Sequence, residues 1–294
     1  MKTLKLMIIA TTGVAMLLTA CDVEDPIYDT PHPNHGKITL TTDWAERGAG
    51  IDIPVSYTVK VGEYSAAVNG TTNTIDNLFV PENYRIHVHN TADNITVSGT
   101  TASVAAATAS DGQPGVFVNN APGWLFCGTM DVAIEKDKVH ELTVAMSQQV
   151  RQLTFVIEPT GGAANQIESI KGYLSGVAGT LDIDAGTHGN PSSIALEFEK
   201  LTGDADAGKW SVTVRLLGTA GAQQRLYAQI RFEDNRPTAV TLDSDLSTDL
   251  AAFNMDKKIP FTLGGKVVKT PIEAGFTATI EDWKPVQGDS VVAN

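Results

Sequence analysis

Chemistry in this chain starts at a cysteine. Leu18-Thr19-Ala20-Cys21 closes an apolar run, Leu6 to Leu18, that follows the basic start Met1-Lys2-Thr3-Leu4-Lys5. A positive start, a short apolar stretch and small residues before a cut site make a secretory signal. Leu-Thr-Ala-Cys is also the pattern read by a lipoprotein signal peptidase, in which the Cys21 thiol is acylated and Cys21 becomes the new N-terminus. The apolar run is shorter than the ~20 residues a spanning helix needs. Several acyl chains on one cysteine anchor stably where a single chain is marginal. The alternative is an ordinary cleaved signal with a chance cysteine, or an uncleaved anchor.

Other residues offer weaker chemistry. His87 and His89 form an H-x-H pair, which on a strand puts both imidazoles on one face; a zinc site would need a third ligand, and two polar residues on a solvated face is the plainer reading. Asp182 and Asp184, and again Asp204 and Asp206, have D-x-D spacing before a glycine. Alternate oxygens suit calcium, yet neither pair continues into a full loop, and acidic turns account for both. His32 and His35 are weaker still. No GxSxG elbow, SxxK, HExxH or phosphate-binding glycine loop occurs, so no catalytic residue, metal or cofactor is assigned. Cys127, in Trp124-Leu125-Phe126-Cys127, lacks a basic neighbour in sequence and reads as a small buried hydrophobe. Trp44 and Trp283 each follow an aspartate. Paired aromatics of this kind either pack over the mouth of a sandwich or, exposed, stack on sugars, which would make the chain a surface glycan-binding lipoprotein.

These residues must be carried by strands. Lys37 to Trp44, Val55 to Val61 and Tyr84 to His89 alternate apolar and polar with period two, the mark of half-buried strands. Asn94–Ser98, Asp131–Glu135, Glu141–Met146 and Arg151–Glu158 are further candidates, as are Ile170–Gly176, Ile194–Phe198, Trp210–Leu217, Leu226–Phe232, Ile259–Leu263 and Phe276–Trp283. Asn69-Gly70, Asp111-Gly112 and Gly161-Gly162 read as turns. Helical periodicity is confined to Leu246–Phe253. Short strands at regular spacing predict an all-β chain of antiparallel β-sandwiches.

Composition sets the bounds. Of 294 residues, 1–20 leave with the signal; 34 acidic residues then face 19 basic ones, a formal charge of −15 on 274 residues. Nucleic-acid binding needs a basic patch and is excluded. Residues 21–36, with Asp22, Glu24 and Asp25 beside the lipid and Pro26, Pro31 and Pro33 behind, read as a tether. The rest fits two domains better than one. The least structured seam is Ser147-Gln148-Gln149, giving an N-terminal sandwich over 37–147 and a C-terminal one over 148–294. With Cys21 committed to lipid, Cys127 has no intramolecular partner, so hydrophobic cores must hold both.

Lipobox, acidic tether, the run from Pro31 to Trp44, Ile170-Lys171-Gly172-Tyr173-Leu174-Ser175-Gly176-Val177-Ala178-Gly179 and the closing Phe276 to Trp283 together resemble the FimB/Mfa-like fimbrial subunits, lipoproteins of Bacteroidota type V pili. The acidic residues after Cys21 also resemble the surface-export signal of Bacteroidota lipoproteins. The resemblance implies two transthyretin-like domains and a role as anchor or accessory subunit of a surface fimbria, with other fimbrial subunits, the outer membrane and a glycan or host ligand as expected partners. It implies assembly by donated strands, in which an incoming segment completes a sheet edge. In stalk subunits of the family a trypsin-like protease cuts after an arginine beyond the first strand. Arg47, the sole arginine between Cys21 and Arg85, lies in a comparable place beside glycines that suit protease access. An anchor subunit would keep this bond whole.

Overall fold

A computed structural model describes residues 34–109, 113–160, 164–203, 206–233, 239–267, 277–278, 280 and 283–285. Cys21, His32, Asp204 and the turns expected at Asp111-Gly112 and Gly161-Gly162 lie outside the described residues. The first half contains β1 (Lys37–Asp43), β2 (Ser56–Val61), β3 (Tyr64–Asn69), β4 (Thr72–Thr74) and β5 (Asn83–His89). After them come β6 (Ile95–Ser98), β7 (Thr101–Val104), β8 (Ala106–Ala107), β9 (Phe117–Val118), β10 (Phe126–Ala133), β11 (Val139–Ala145) and β12 (Ser147–Gln148). The second half contains β13 (Arg151–Pro159), β14 (Ile167–Asp182), β15 (Thr187–Lys200), β16 (Trp210–Leu216) and β17 (Arg225–Phe232). It closes with β18 (Val240–Asp245), β19 (Phe261–Val267), β20 (Thr277–Ala278) and β21 (Lys284–Pro285).

Period two in the sequence becomes two-faced strands. In β1, Ile38, Leu40 and Thr42 are buried while the residues between them are not. β1 lies between β11 and β4 in one sheet, and β12-β10-β5-β2-β3 form a second. Ile38 and Leu40 share a core with Tyr57, Val59, Ile86, Val88 and Phe126, so the two sheets close over one another. The chain is all-β, as its patterning predicts, but not wholly antiparallel: β1 runs parallel to β11 over seven residue pairs, and β13 parallel to β19. Parallel neighbours need long crossovers, and pairing between strands so distant leaves no local signal.

The second half is built on the hairpin of β14 and β15, 16 and 14 residues long. β20-β18-β17-β14-β15 form one layer; β15 continues through its last residues into β16-β13-β19-β21. A bulge at Gly176, with φ +71°, bends β14. Any Cβ there would sit 2.1 Å from the Gln223 carbonyl oxygen, so only glycine fits. Beyond the bulge, Thr180–Asp182 pair with β7, and Phe117 of β9 pairs with Ser193 of β15. Residues 92–109 and 113–118 thus leave the first pair of sheets, and Ala92, Ala102, Val104 and Val118 enter the second core. The strand expected at Asn94–Ser98 is β6, while β7, β8 and β9 are only four, two and two residues long and gave the sequence pattern nothing to assign.

Leu246–Phe253 is not a helix. It is a chain of turns in which only the amide of Leu250 reaches back four residues, to Leu246, at 2.9 Å, while that of Phe253 reaches back three. Leu246, Leu250 and Phe253 are fully buried, so the apolar spacing was real but serves packing. Arg151 fixes the segment. Its Nε donates to the Ile259 carbonyl and its Nη1 to that of Phe253, both at 2.7 Å, with the guanidinium over the Phe253 and Phe261 rings.

Candidate functional site: the first strand and its seam

β1 occupies the centre of its sheet, and the loop behind it decides whether it can leave. Asp43 accepts from the Met146 amide at 2.7 Å, and Trp44 then turns the chain away. The Trp44 ring packs edge-on against Tyr57 and Phe126, and its Nε1 donates to Thr42 Oγ1 at 2.9 Å. Arg47 comes next, half-buried, with its backbone amide bonded to the Trp44 carbonyl and its Nε turned out of solvent.

Gly48 is buried. Its amide donates to Gln148 Oε1 at 2.9 Å, and a Cβ there would meet the Lys258 carbonyl at 2.8 Å. Gln148 is itself 6% exposed, and its Nε2 donates to the carbonyls of Val150 and Lys257. Glu46 and Lys258 form an ion pair at 2.9 Å on the rim. The stretch that reads as an unstructured seam in the sequence, Ser147 to Gln149, is the anchorage of the loop after β1. No local signal marks Gln148, because Gly48 and Lys257 lie about a hundred residues away on either side.

Beneath the loop is a cavity of about 260 Å³ bordered by Glu46, Gln148, Gln149, His188 and Lys257. Lys257 is nearly buried, and its Nζ donates to His188 Nε2 at 2.9 Å and to the Leu217 carbonyl at 3.1 Å. Burial lowers the ammonium to about 8. Burial, and then the neighbouring Lys257, lowers His188 to about 4, so at neutral pH its imidazole is neutral and accepts from the lysine. Cys127 is buried in the second core, and burial pushes its thiol up to about 12 despite Lys257. It is a packing residue rather than a nucleophile.

The remaining expected site residues fall elsewhere. Trp283 is 8% exposed, packed edge-on against Phe155, with its Nε1 unbonded among the described residues. Trp44 and Trp283 belong to different cores and form no joint platform. His87 and His89 share a strand, but His87 Nε2 meets Asp184 at 2.9 Å while His89 Nδ1 contacts the Asn90 carbonyl. Asp182 caps its own turn by accepting from the amides of Asp184 and Ala185. Asp206 pairs with Lys209 at 2.7 Å. Among the described residues no group of three or more His, Cys, Asp or Glu could hold a metal ion, and no helix is long and apolar enough to cross a membrane.

Residues 38–289 match the family described as fimbrillin-A associated anchor proteins Mfa1 and Mfa2. The chain belongs to this family. A search of curated proteins found no match. Among solved structures, this Mfa2-family chain resembles a candidate adhesin from Bacteroides ovatus, with a TM-score of 0.60 and 15% identity over 90% of this chain and 99% of that one. It also resembles a candidate polysaccharide-binding protein from Bacteroides thetaiotaomicron, with a TM-score of 0.54 and 11% identity over 79% and 92%. The fimbrial anchor protein Mfa2 from Porphyromonas gingivalis has a TM-score of 0.50 and 12% identity over 80% and 92%. At such identities these structures share the fold alone.

Proposed function

We propose that this Mfa2-family chain is an outer-membrane lipoprotein, held through acylated Cys21, that serves as the anchor or an accessory subunit of a surface fimbria. It has a structural role without catalysis, and other fimbrial subunits join it by strand complementation. One observation carries the anchor reading. The Arg47–Gly48 bond is pinned on both sides, by the Gly48 amide on Gln148 and by Glu46 on Lys258. A protease needs an extended, exposed segment, and here Gly48 is buried and the Arg47 Nε faces inward. Uncut, β1 stays bonded to β11 and β4, and the lipid stays on the chain. For assembly, the outer edge of β3, which pairs with no other strand among the described residues, offers its ladder to an incoming strand.

Deleting the gene and imaging the cells by electron microscopy tests the fimbrial role. The expected result is fimbriae that are shed, altered in length or lost. Unchanged number, length and attachment would contradict it.

A further inference from the structure

We propose a binding site for acidic oligosaccharide on the outer face of β14 and β17, independent of the anchor reading and of both tryptophans. Tyr173 and Tyr227 stand directly opposite each other in the register of these strands, and their rings stack at 5.3 Å with an interplanar angle of 29°. Such a pair is expensive to leave half-exposed, as both rings are, because apolar surface facing water costs free energy. Phe117 meets Tyr173 in a T-shaped contact at 6.0 Å and braces it. Gly172 brings the strands together, since a Cβ there would lie 1.9 Å from the Tyr227 carbonyl oxygen. The pair is therefore rigid before any ligand arrives, which lowers the ordering cost of binding.

The rings border a concavity of about 540 Å³ that runs along the sheet past Lys171 and Gln229 to Arg231, with Pro114 as a wall. That volume lies in the range of small-molecule sites, and its make-up is an apolar patch with a few convergent polar groups. Tyr227 and Arg231 are four residues apart on one strand, a reach of about 13 Å, which suits several sugar rings rather than one. The C–H face of a pyranose lies against the tyrosines, while Gln229 and the tyrosine hydroxyls offer both donors and acceptors to sugar hydroxyls.

Charge selects the acidic class. Lys171, opposite Gln229 in the middle of the face, is engaged by Glu197, and Arg225, beyond the tyrosines, by Asp243 at 2.8 Å. Arg231 is exposed and has no acidic partner among the described residues. A guanidinium in this position matches a carboxylate with two parallel hydrogen bonds. A uronic-acid residue supplies that group on a sugar ring.

Saturation-transfer NMR on the full mature chain, with tri-galacturonate and maltotriose as probes, tests the site. Tri-galacturonate should bind roughly tenfold or more tightly than maltotriose, a margin expected of one charged pair. Tyr227→Ala should abolish binding of both while keeping the wild-type far-ultraviolet circular dichroism spectrum, the control for folding, and Arg231→Gln should remove the preference for the acidic probe. Equal binding of the two probes by the wild type would overturn the acidic assignment. No binding of tri-galacturonate, or binding unchanged in Tyr227→Ala and Arg231→Gln, would overturn the site.

Discussion

His87 Nε2 lies 2.9 Å from the carboxylate of Asp184, joining β5 of the first half to the turn between β14 and β15 in the second. Arg85 reaches the same carboxylate through Nε at 3.1 Å and also holds Asp131 at 2.8 Å. Two motifs that mean little separately, H-x-H and D-x-D, thus contribute one residue each to a clamp across the molecule. Asp182 builds the turn, and that frees Asp184 to point outward.

The clamp predicts how stability depends on acid. Burial alone would raise the Asp184 carboxyl, but hydrogen bonds from His87 and Arg85 hold it below the usual carboxylate range. A carboxyl depressed in the folded state contributes stability that is complete above the ordinary value of about 4 and lost as pH falls through the folded value. Urea unfolding of Asp184→Asn against wild type should therefore show a stability gap at pH 7 that closes below pH ~4. A gap that stays constant down to pH 2 would contradict the assignment.

Gln148→Ala removes the side chain that bonds Gly48, Val150 and Lys257. The buried groups it leaves behind should cost about 2–4 kcal/mol. The more telling outcome is local. Limited trypsin digestion should release a new N-terminus at Gly48 in the variant well before it does in wild type, because the loop opens without global unfolding. Equal rates at this bond would show that Gln148 does not guard it.

Arg151→Met should destabilise the protein by about 2–4 kcal/mol, since the carbonyls of Phe253 and Ile259 lose their buried donor. Arg151→Lys should recover little of this, because an ammonium cannot reach both carbonyls while stacking on two rings. Chemical denaturation measures both, and a fully stable Arg151→Lys would refute the fork geometry.

Gly172→Ala should prevent β14 and β17 from pairing in register, since the added carbon would overlap the Tyr227 carbonyl and Ala228. The expected cost is about 3 kcal/mol or more. A melting temperature within a degree of wild type would mean that the strands are less tightly apposed than this.

Legibility followed locality. β1, β2 and β5 were plain from period two, because each carries its whole inside–outside pattern in seven or fewer residues. The inner part of β14 was visible too, but its continuation through Val177, Ala178 and Gly179 was not. Those residues are buried in an unbroken run, where the strand bends past Gly176, and the alternation disappears. β18 was missed although Val240, Leu242 and Ser244 alternate inward, a signal masked by the three acidic or hydroxyl residues around Asp243. The site at the seam was illegible because Gln148, Gly48 and Lys257 meet only after both cores have formed. Cys21 could be named from its spacing and Arg47 from the resemblance to fimbrial subunits; whether the bond after Arg47 is open could not, since that depends on Gln148. The tryptophans drew attention as aromatics, yet the aromatic pair that stacks on a sheet face is Tyr173 and Tyr227, and only strand register brings those two together.

The central claim is that β1 and the lipid stay on the chain. Mass spectrometry of the protein purified from the cell surface tests it most directly. The account predicts an N-terminus at acylated Cys21 with the Arg47–Gly48 bond intact. An unmodified N-terminus at Gly48 would contradict it and make this a stalk-type subunit whose first strand has been surrendered.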